Sequence, residues 1–255
     1  CYIFFTVMMA GDFVAGIIQK ENVLNMFSFD IKQGERIFLH GENGCGKSTL
    51  LNQLLKDPAM QDAAIIINEF GEVGLDHLLV SKSTEEQIVE LSSGCICCTI
   101  RGDLVNTLED LLRKLDNGRI RPFRRVILET TGLADPAPIL QLLLNNPMIS
   151  HDYRLDSVVA TVDAVNGARQ LDEHAEAVKQ AAVADRLLIS KTDLADIDAS
   201  AGLRVRLEAL NPGAALFEIV QGEIDPALLF DSGPFDPAGK SDRVRAWLGA
   251  EAHDH

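Results

Sequence analysis

The chain has 255 residues, 47% of them hydrophobic and 24% charged, which suits one large soluble α/β domain or two small ones. Its formal net charge of −15 would repel a phosphate backbone. That excludes nucleic-acid binding across a broad face and disfavours polybasic attachment to a membrane surface.

Taken from the start, Cys1 to Gly11 are apolar apart from Thr6, but no basic flank precedes them and Asp12 interrupts the run. The stretch is far too short for a membrane span, so neither a signal peptide nor a transmembrane helix is expected. Residues 1–34 stand apart as an atypical N-terminal segment. Strands are expected at Arg36–His40, Ala64–Asn68, Val126–Glu129, Ser157–Asp163 and Arg186–Ser190. Their apolar runs lack alternation, which marks strands covered on both faces, as in a parallel sheet. Helical periods fall between them at Lys47–Lys56, Leu104–Leu115, Pro136–Leu144, Val165–Val183 and Ala199–Leu210. Strand and helix alternate, so the class is α/β with right-handed crossovers. One domain spans residues 35–232. From Gly233 onward prolines, glycines and aspartates replace the pattern, apart from a short helix at Asp242–Leu248. Residues 233–255 read as a linker at a cut through a longer protein, and the start at Cys1 reads as a fragment's.

Four motifs carry chemistry. Gly41-Glu42-Asn43-Gly44-Cys45-Gly46-Lys47-Ser48 fits the pattern G-x-x-x-x-G-K-[ST], between a predicted strand and a predicted helix. Such a loop curls its N–H groups around phosphate oxygens, with the positive end of the helix behind them. The cradle takes in Gly41 through Thr49. Lys47 would bridge the β- and γ-phosphates, and the Ser48 hydroxyl would hold Mg²⁺. The fold is therefore expected to be a three-layer P-loop NTPase with a mostly parallel central sheet. Val126-Ile127-Leu128-Glu129 is a strand ending in a carboxylate, with Gly132 three residues on. Strand ends form the ligand crevice of such a sheet. Glu129 is thus placed facing Mg²⁺ or the attacking water, and Gly132 near the γ-phosphate.

Ser190-Lys191-Thr192-Asp193 is close to the guanine-reading NKxD motif, with serine in the asparagine position. Guanine presents N1–H and an exocyclic amine side by side, and one carboxylate accepts both. Adenine has no such pair, so Asp193 would select GTP, with the Lys191 stem along the base. Cys95, Cys97 and Cys98 crowd three of the five cysteines into four residues after Gly94. A secreted disulfide framework spreads its cysteines, so this crowding points to a metal site in a reducing compartment, the cytoplasm. Three thiolates supply three corners of a tetrahedral site for Zn²⁺ or Co²⁺.

These residues together resemble the CobW-type metallochaperone GTPases, a branch of the P-loop GTPases that includes the urease and hydrogenase nickel-insertion GTPases. The resemblance runs from about Gly41 to Asp231. It rests on the P-loop, Asn68–Asp76, Glu90–Cys98, Glu129–Gly132, Leu133–Pro136 and Ser190–Asp193. It implies that Asn68–Asp76 is the first switch and Glu129–Gly132 the second, with the CxCC loop close to the nucleotide. It also implies a client metalloprotein, or an enzyme of the cobalamin pathway, as partner. The P-loop interior and its preface Phe27–Arg36 read instead like an ABC-type ATPase. The expectation is Mg²⁺-dependent GTP hydrolysis, with Lys47 and Glu129 as catalytic residues, coupled to loading of a transition metal. The alternatives are an ABC-type ATPase fragment, or a metal-binding module whose P-loop does not turn over.

Overall fold

The computed structural model describes residues 4–8, 38–41, 47–60, 62–67, 88–90, 99–131, 134–230 and 235–250. Within them one mixed sheet holds β1 (Phe4–Met8), β2 (Phe38–Gly41), β3 (Ala63–Ile67), β4 (Ile88–Glu90), β5 (Arg125–Thr131), β6 (Arg154–Asp163), β7 (Arg186–Ser190) and β8 (Ala215–Ile219). The order across the sheet is β4-β3-β5-β1-β6-β7-β8, and β2 also pairs with β5. Every position of β6 from Leu155 to Asp163 is buried, as are Leu187 to Ser190 of β7. Burial that continuous, with polar Asp156, Ser157 and Thr161 included, marks strands covered on both faces.

All the pairings are parallel except those of β1, which runs antiparallel to both β5 and β6. β1 faces Arg125–Leu128 of β5, and β2 faces Leu128–Thr131 of the same strand. The parallel strands therefore share one carboxyl edge. Gly41 stands opposite Thr131, Ile67 opposite Glu129, Asp163 opposite Ser190, and Ser190 opposite Ile219.

The helices are α1 (Lys47–Leu54), α2 (Thr99–Asp116), α3 (Pro136–Asn145), α4 (Pro147–Asp152), α5 (Gly167–Glu173), α6 (Ala175–Val183), α7 (Ile197–Leu210) and α8 (Asp242–Ala250). Asp135 caps α3 by accepting from Ala137 N–H at 3.0 Å, and Pro136 opens the first turn. Asn146 ends α3 and caps α4, accepting from Met148 and Ile149 N–H.

The single helix expected over Val165–Val183 is two helices, because His174 is extended (φ −126°, ψ 115°). On one straight helix the buried Leu171 and Ala177 would point about 120° apart, at about 100° per residue. The break at His174 resets the phase, so both face the core. α4, β1, β4 and β8 were not anticipated from the sequence. β8 is a sheet-edge strand whose Ala215 to Phe217 are only half-buried, so its pattern is weak. Among the described residues no helix is long and apolar enough to cross a membrane.

The last described segment packs onto this domain. Phe235, Val244 and Leu248 are buried in the common core, and Phe235 N–H donates to Leu155 O at 3.1 Å. α8 lies against α3 and α6. Lys240 Nζ donates to Asp185 Oδ1 at 2.5 Å and to Ala184 O at 3.0 Å, and lies 5.1 Å from the centroid of the Phe235 ring. Asp185 Oδ2 in turn accepts Val158 N–H at 2.8 Å. Lys240→Met leaves the Asp185 carboxylate, largely buried, without its cation. It should cost about 2 kcal/mol, read as a lowered urea midpoint with an unchanged slope.

Candidate functional site

The carboxyl edge is where a parallel sheet exposes its turns, and the described motif residues at Gly41, Glu129 and Ser190 stand there. Gly41 ends β2, and Lys47 and Ser48 open α1 six residues later. Glu42 to Gly46 lie outside the described residues, as do Gly132, Asn68–Asp76 and the three thiols Cys95, Cys97 and Cys98. β4 ends at Glu90 before the cysteine loop and α2 begins at Thr99 just after it. Among the described residues no three His, Cys, Asp or Glu side chains converge on a metal position.

Thr49 is exposed, whereas Leu50, Leu51 and Leu54 are buried and hold α1 to the core. Glu129 is 3% exposed, one register step beyond the middle of β5, between Leu39 of β2 and Ile67 of β3. A carboxylate that deep needs compensating charge or donors nearby. Beyond it, Ala134 O accepts from Gln180 Nε2 at 2.9 Å, and the Asp135 carboxylate pairs with Lys179. The chain leaving β5 is thereby pinned to α6.

At the other end of the edge, Ser190 closes β7. It is buried; its carbonyl accepts Ala164 N–H at 2.8 Å, and its hydroxyl approaches Val162 O at 3.5 Å. The serine is thus engaged with β6. Lys191 follows in the left-handed region at φ +57°, a conformation that costs a residue with a Cβ about 1 kcal/mol or more. A turn then closes through Leu194 N–H to Lys191 O at 3.0 Å, with Asp193 exposed upon it. Asp196 caps α7 by accepting from Asp198 and Ala199 N–H.

Asp163, opposite Ser190, was not singled out from the sequence. Its carboxylate accepts from Val165 N–H at 2.8 Å, Asn166 N–H at 3.3 Å, Asn166 Nδ2 at 3.2 Å and Lys191 Nζ at 2.7 Å. Burial pushes its pKa up. The hydrogen bonds from Lys191, Val165 and Asn166, together with the lysine's charge, more than offset this and hold the carboxyl below its ordinary value.

The turn after β8 was also missed. Gln221 and Gly222 both have positive φ (51° and 76°), and Val220 bridges to Glu223. A two-residue turn with both φ values positive suits a tight reversal. A Cβ on Gly222 would meet Leu50 Cα and N at 2.7 Å and Thr49 C at 2.9 Å. This glycine therefore lets the β8 turn lie directly on the first turns of α1. Its signal in the sequence was Gln-Gly after a short apolar run.

The model of the family described as CobW/HypB/UreG, nucleotide-binding domain, matches residues 35–218. The chain belongs to the CobW/HypB/UreG family. It is 40% identical over 197 residues to the zinc chaperone YjiA of Escherichia coli, which covers 77% of this chain and 61% of that protein. With the zinc chaperone CobW of Sinorhizobium sp it shares 33% identity over 246 residues, 83% of this chain and 67% of that protein. With the zinc-regulated GTPase metalloprotein activator 1 of Schizosaccharomyces pombe it shares 32% over 193 residues, 73% of this chain and 46% of the other. The chain thus spans about three-fifths of the length of the first of these relatives. Among solved structures it is similar to the Zn(II)-bound YjiA GTPase of E. coli, with a TM-score of 0.59 at 34% identity over 77% of this chain and 61% of that one. The family match takes in the P-loop and sets aside its ABC-type reading; along the carboxyl edge the motif residues stand at two ends, the start of α1 and the β7 turn.

Gly222→Ala tests how closely those ends are joined. Its Cβ has backbone, not a flexible side chain, in its way, and its φ is unfavourable for alanine. The substitution should destabilise the domain by about 1–3 kcal/mol and weaken nucleotide binding, since α1 must move. Parallel urea melts and nucleotide titrations check both.

Proposed function

We propose that this chain is the GTP-binding and GTP-hydrolysing domain of a metallochaperone that loads zinc, or cobalt, for delivery to a client metalloprotein. The observation that carries the reading is the Ser190–Asp193 turn. It stands at the carboxyl edge of a nucleotide-binding fold, in a chain similar to proteins named zinc chaperones and GTPases. Asp193, exposed on that turn, has the chemistry to accept guanine N1–H and its exocyclic amine together.

The phosphates belong at the other end, on the N–H groups of Glu42 to Gly46 and the opening of α1, with Lys47 as the fixed positive charge. The Ser48 hydroxyl and the Glu129 carboxylate are hard oxygen donors of the kind Mg²⁺ takes, and the Glu129 side chain is buried at this edge. When bound, Mg²⁺ neutralises charge on the phosphate oxygens. Catalysis by the chain itself is then positioning and charge stabilisation by Lys47 and Glu129. Zinc is cargo here, and soft thiolates at Cys95, Cys97 and Cys98 are the ligands of choice for it. Three ligands leave a corner open, which suits a metal that must be handed on.

Base selection tests the nucleotide half. GTP should bind at least about tenfold tighter than ATP, a gap of about 1.4 kcal/mol. Asp193→Asn should erase the preference. Equal affinities in the unmodified chain would end the guanine assignment.

The metal half is tested by linkage. A γ-phosphate that orders the switch segments should also order the cysteine loop between β4 and α2. Zinc should then bind more tightly with a non-hydrolysable GTP analogue than with GDP, by about 5–150-fold, and must strengthen the analogue's binding by the same factor. Cys97→Ser with Cys98→Ser should remove both effects and leave metal-free GTP binding nearly unchanged. Competition against a chromophoric chelator in each nucleotide state makes the measurement; identical zinc affinities in the two states would end the chaperone reading.

A further inference from the structure

Two costs coincide at the β7 turn. Lys191 sits in the left-handed region, which disfavours any residue with a Cβ. Its ammonium is drawn to Asp163, a carboxylate only 3% exposed, at 2.7 Å. Buried ion pairs are weak sources of stability, because desolvation takes back much of the attraction. Nor is the pair needed to close the β6 turn. Val165 N–H and both donors of Asn166 already bond to the same carboxylate, and Ala164 N–H bonds to Ser190 O. Backbone strain that the surroundings enforce collects at ligand clamps, where it sets geometry.

We propose that Asp163 is the positioning residue of the base-reading turn. By holding Lys191 Nζ from the neighbouring strand end, it fixes the lysine stem and the Ser190–Asp193 backbone in the one arrangement that reads guanine. The register makes this possible. Asp163 and Ser190 are direct partners at the last step of the β6–β7 pairing, so the carboxylate lies beside the first residue of the turn it braces. Asn166 Nδ2 donates at 3.2 Å to the same Oδ2 that takes Lys191 Nζ at 2.7 Å. The brace is therefore built from one turn into the next, and neither residue of the pair is free to drift without the other. The inference rests on the guanine reading proposed above, and it assigns Asp163 a part in specificity without contact to the base.

The test is a set of titrations with fluorescent GDP and fluorescent ADP on the full chain. It compares the unmodified protein, Asp163→Asn, Asp163→Ser, Lys191→Met, Asp193→Asn and the double variant Asp163→Asn with Lys191→Met. The serine hydroxyl keeps the turn bond to Val165 N–H and cannot pair with the lysine, so it carries the test if the asparagine variant does not fold. Each Asp163 substitution should lower GDP affinity about tenfold and leave ADP affinity within about twofold, collapsing the guanine preference. The double variant should be no worse than Lys191→Met alone, since both changes break one linkage. A merely structural Asp163 would lower the melting temperature and keep the GDP-over-ADP ratio, and that result overturns the proposal. So does strict additivity in the double variant. If Asp193→Asn also retains the guanine preference, the base-reading turn itself is wrongly assigned. If Asp193→Asn abolishes the preference and the Asp163 variants do not, only the positioning role is lost.

Discussion

Parallel pairing of β6 with β7, in the register that sets Asp163 against Ser190, is the constraint on which the candidate site is built. A parallel pair ends on one side, so the turns leaving both strands start level with each other and must satisfy their freed polar groups locally. Here they do so through one another: Ala164 N–H goes to Ser190 O, and Lys191 Nζ goes to Asp163. The same argument holds at the other half of the sheet, where β2, β3 and β5 end together at Gly41, Ile67 and Glu129–Thr131. The edge thus carries two clusters of strand ends, one at β2, β3 and β5 and one at β6 and β7. β1 lies between the strands that carry them, antiparallel to each.

The charge of the chain looks opposed to this reading and is not. A formal net charge of −15 acts over the whole surface and is screened within about 10 Å at moderate salt. Backbone N–H groups at the start of α1 act at hydrogen-bond distance and carry no counter-charge. Several acidic residues are also committed to structure rather than to the surface field. Asp135 and Asp196 cap helices, Asp185 holds Lys240, and Asp163 holds Lys191. What the surplus of carboxylates excludes is a broad polyanionic partner. It does not exclude a single nucleotide, whose phosphates need only local donors.

The segment after Gly233, expected as a linker, contributes buried side chains in residues 235–250. Val244 is fully buried, and the Trp247 ring lies 4.9 Å from Arg243 and 5.8 Å from Lys179. Lys179 also pairs with Asp135, the residue that caps α3 on leaving the Glu129 strand. One lysine therefore touches both the exit from β5 and the last helix. The helix α8 is thus held by the same elements that fix the chain beyond Glu129, and the two cannot be displaced independently of α6.

What could be read from the sequence and what could not follow from the range over which each feature is encoded. The core strands β3, β5, β6 and β7 were legible because burial on both faces favours stretches rich in Val, Ile, Leu and Ala without strict alternation, a pattern contained in the strand itself. The Lys47 start of α1 and the Pro136 start of α3 were legible because helix starts use local chemistry: a glycine-rich loop, or Asp-Pro. β8 was not, because an edge strand is half-covered and its side chains answer to two environments at once. The break at His174 escaped because it resolves a conflict of phase between Leu171 and Ala177 that only the core imposes. Asp163 and Gly222 escaped for a third reason. Their partners, Lys191 and Leu50, are remote in sequence, and the contacts exist only through strand register and the close approach of one turn to one helix. An acidic residue at a strand end and a glycine after a short apolar run each have a plain local explanation as a turn former. The fold alone supplies the other explanation, by placing the carboxylate against the lysine of the next strand's turn and the glycine against the backbone of α1. Asp163 and Gly222 thus shape this edge without belonging to any of its motifs.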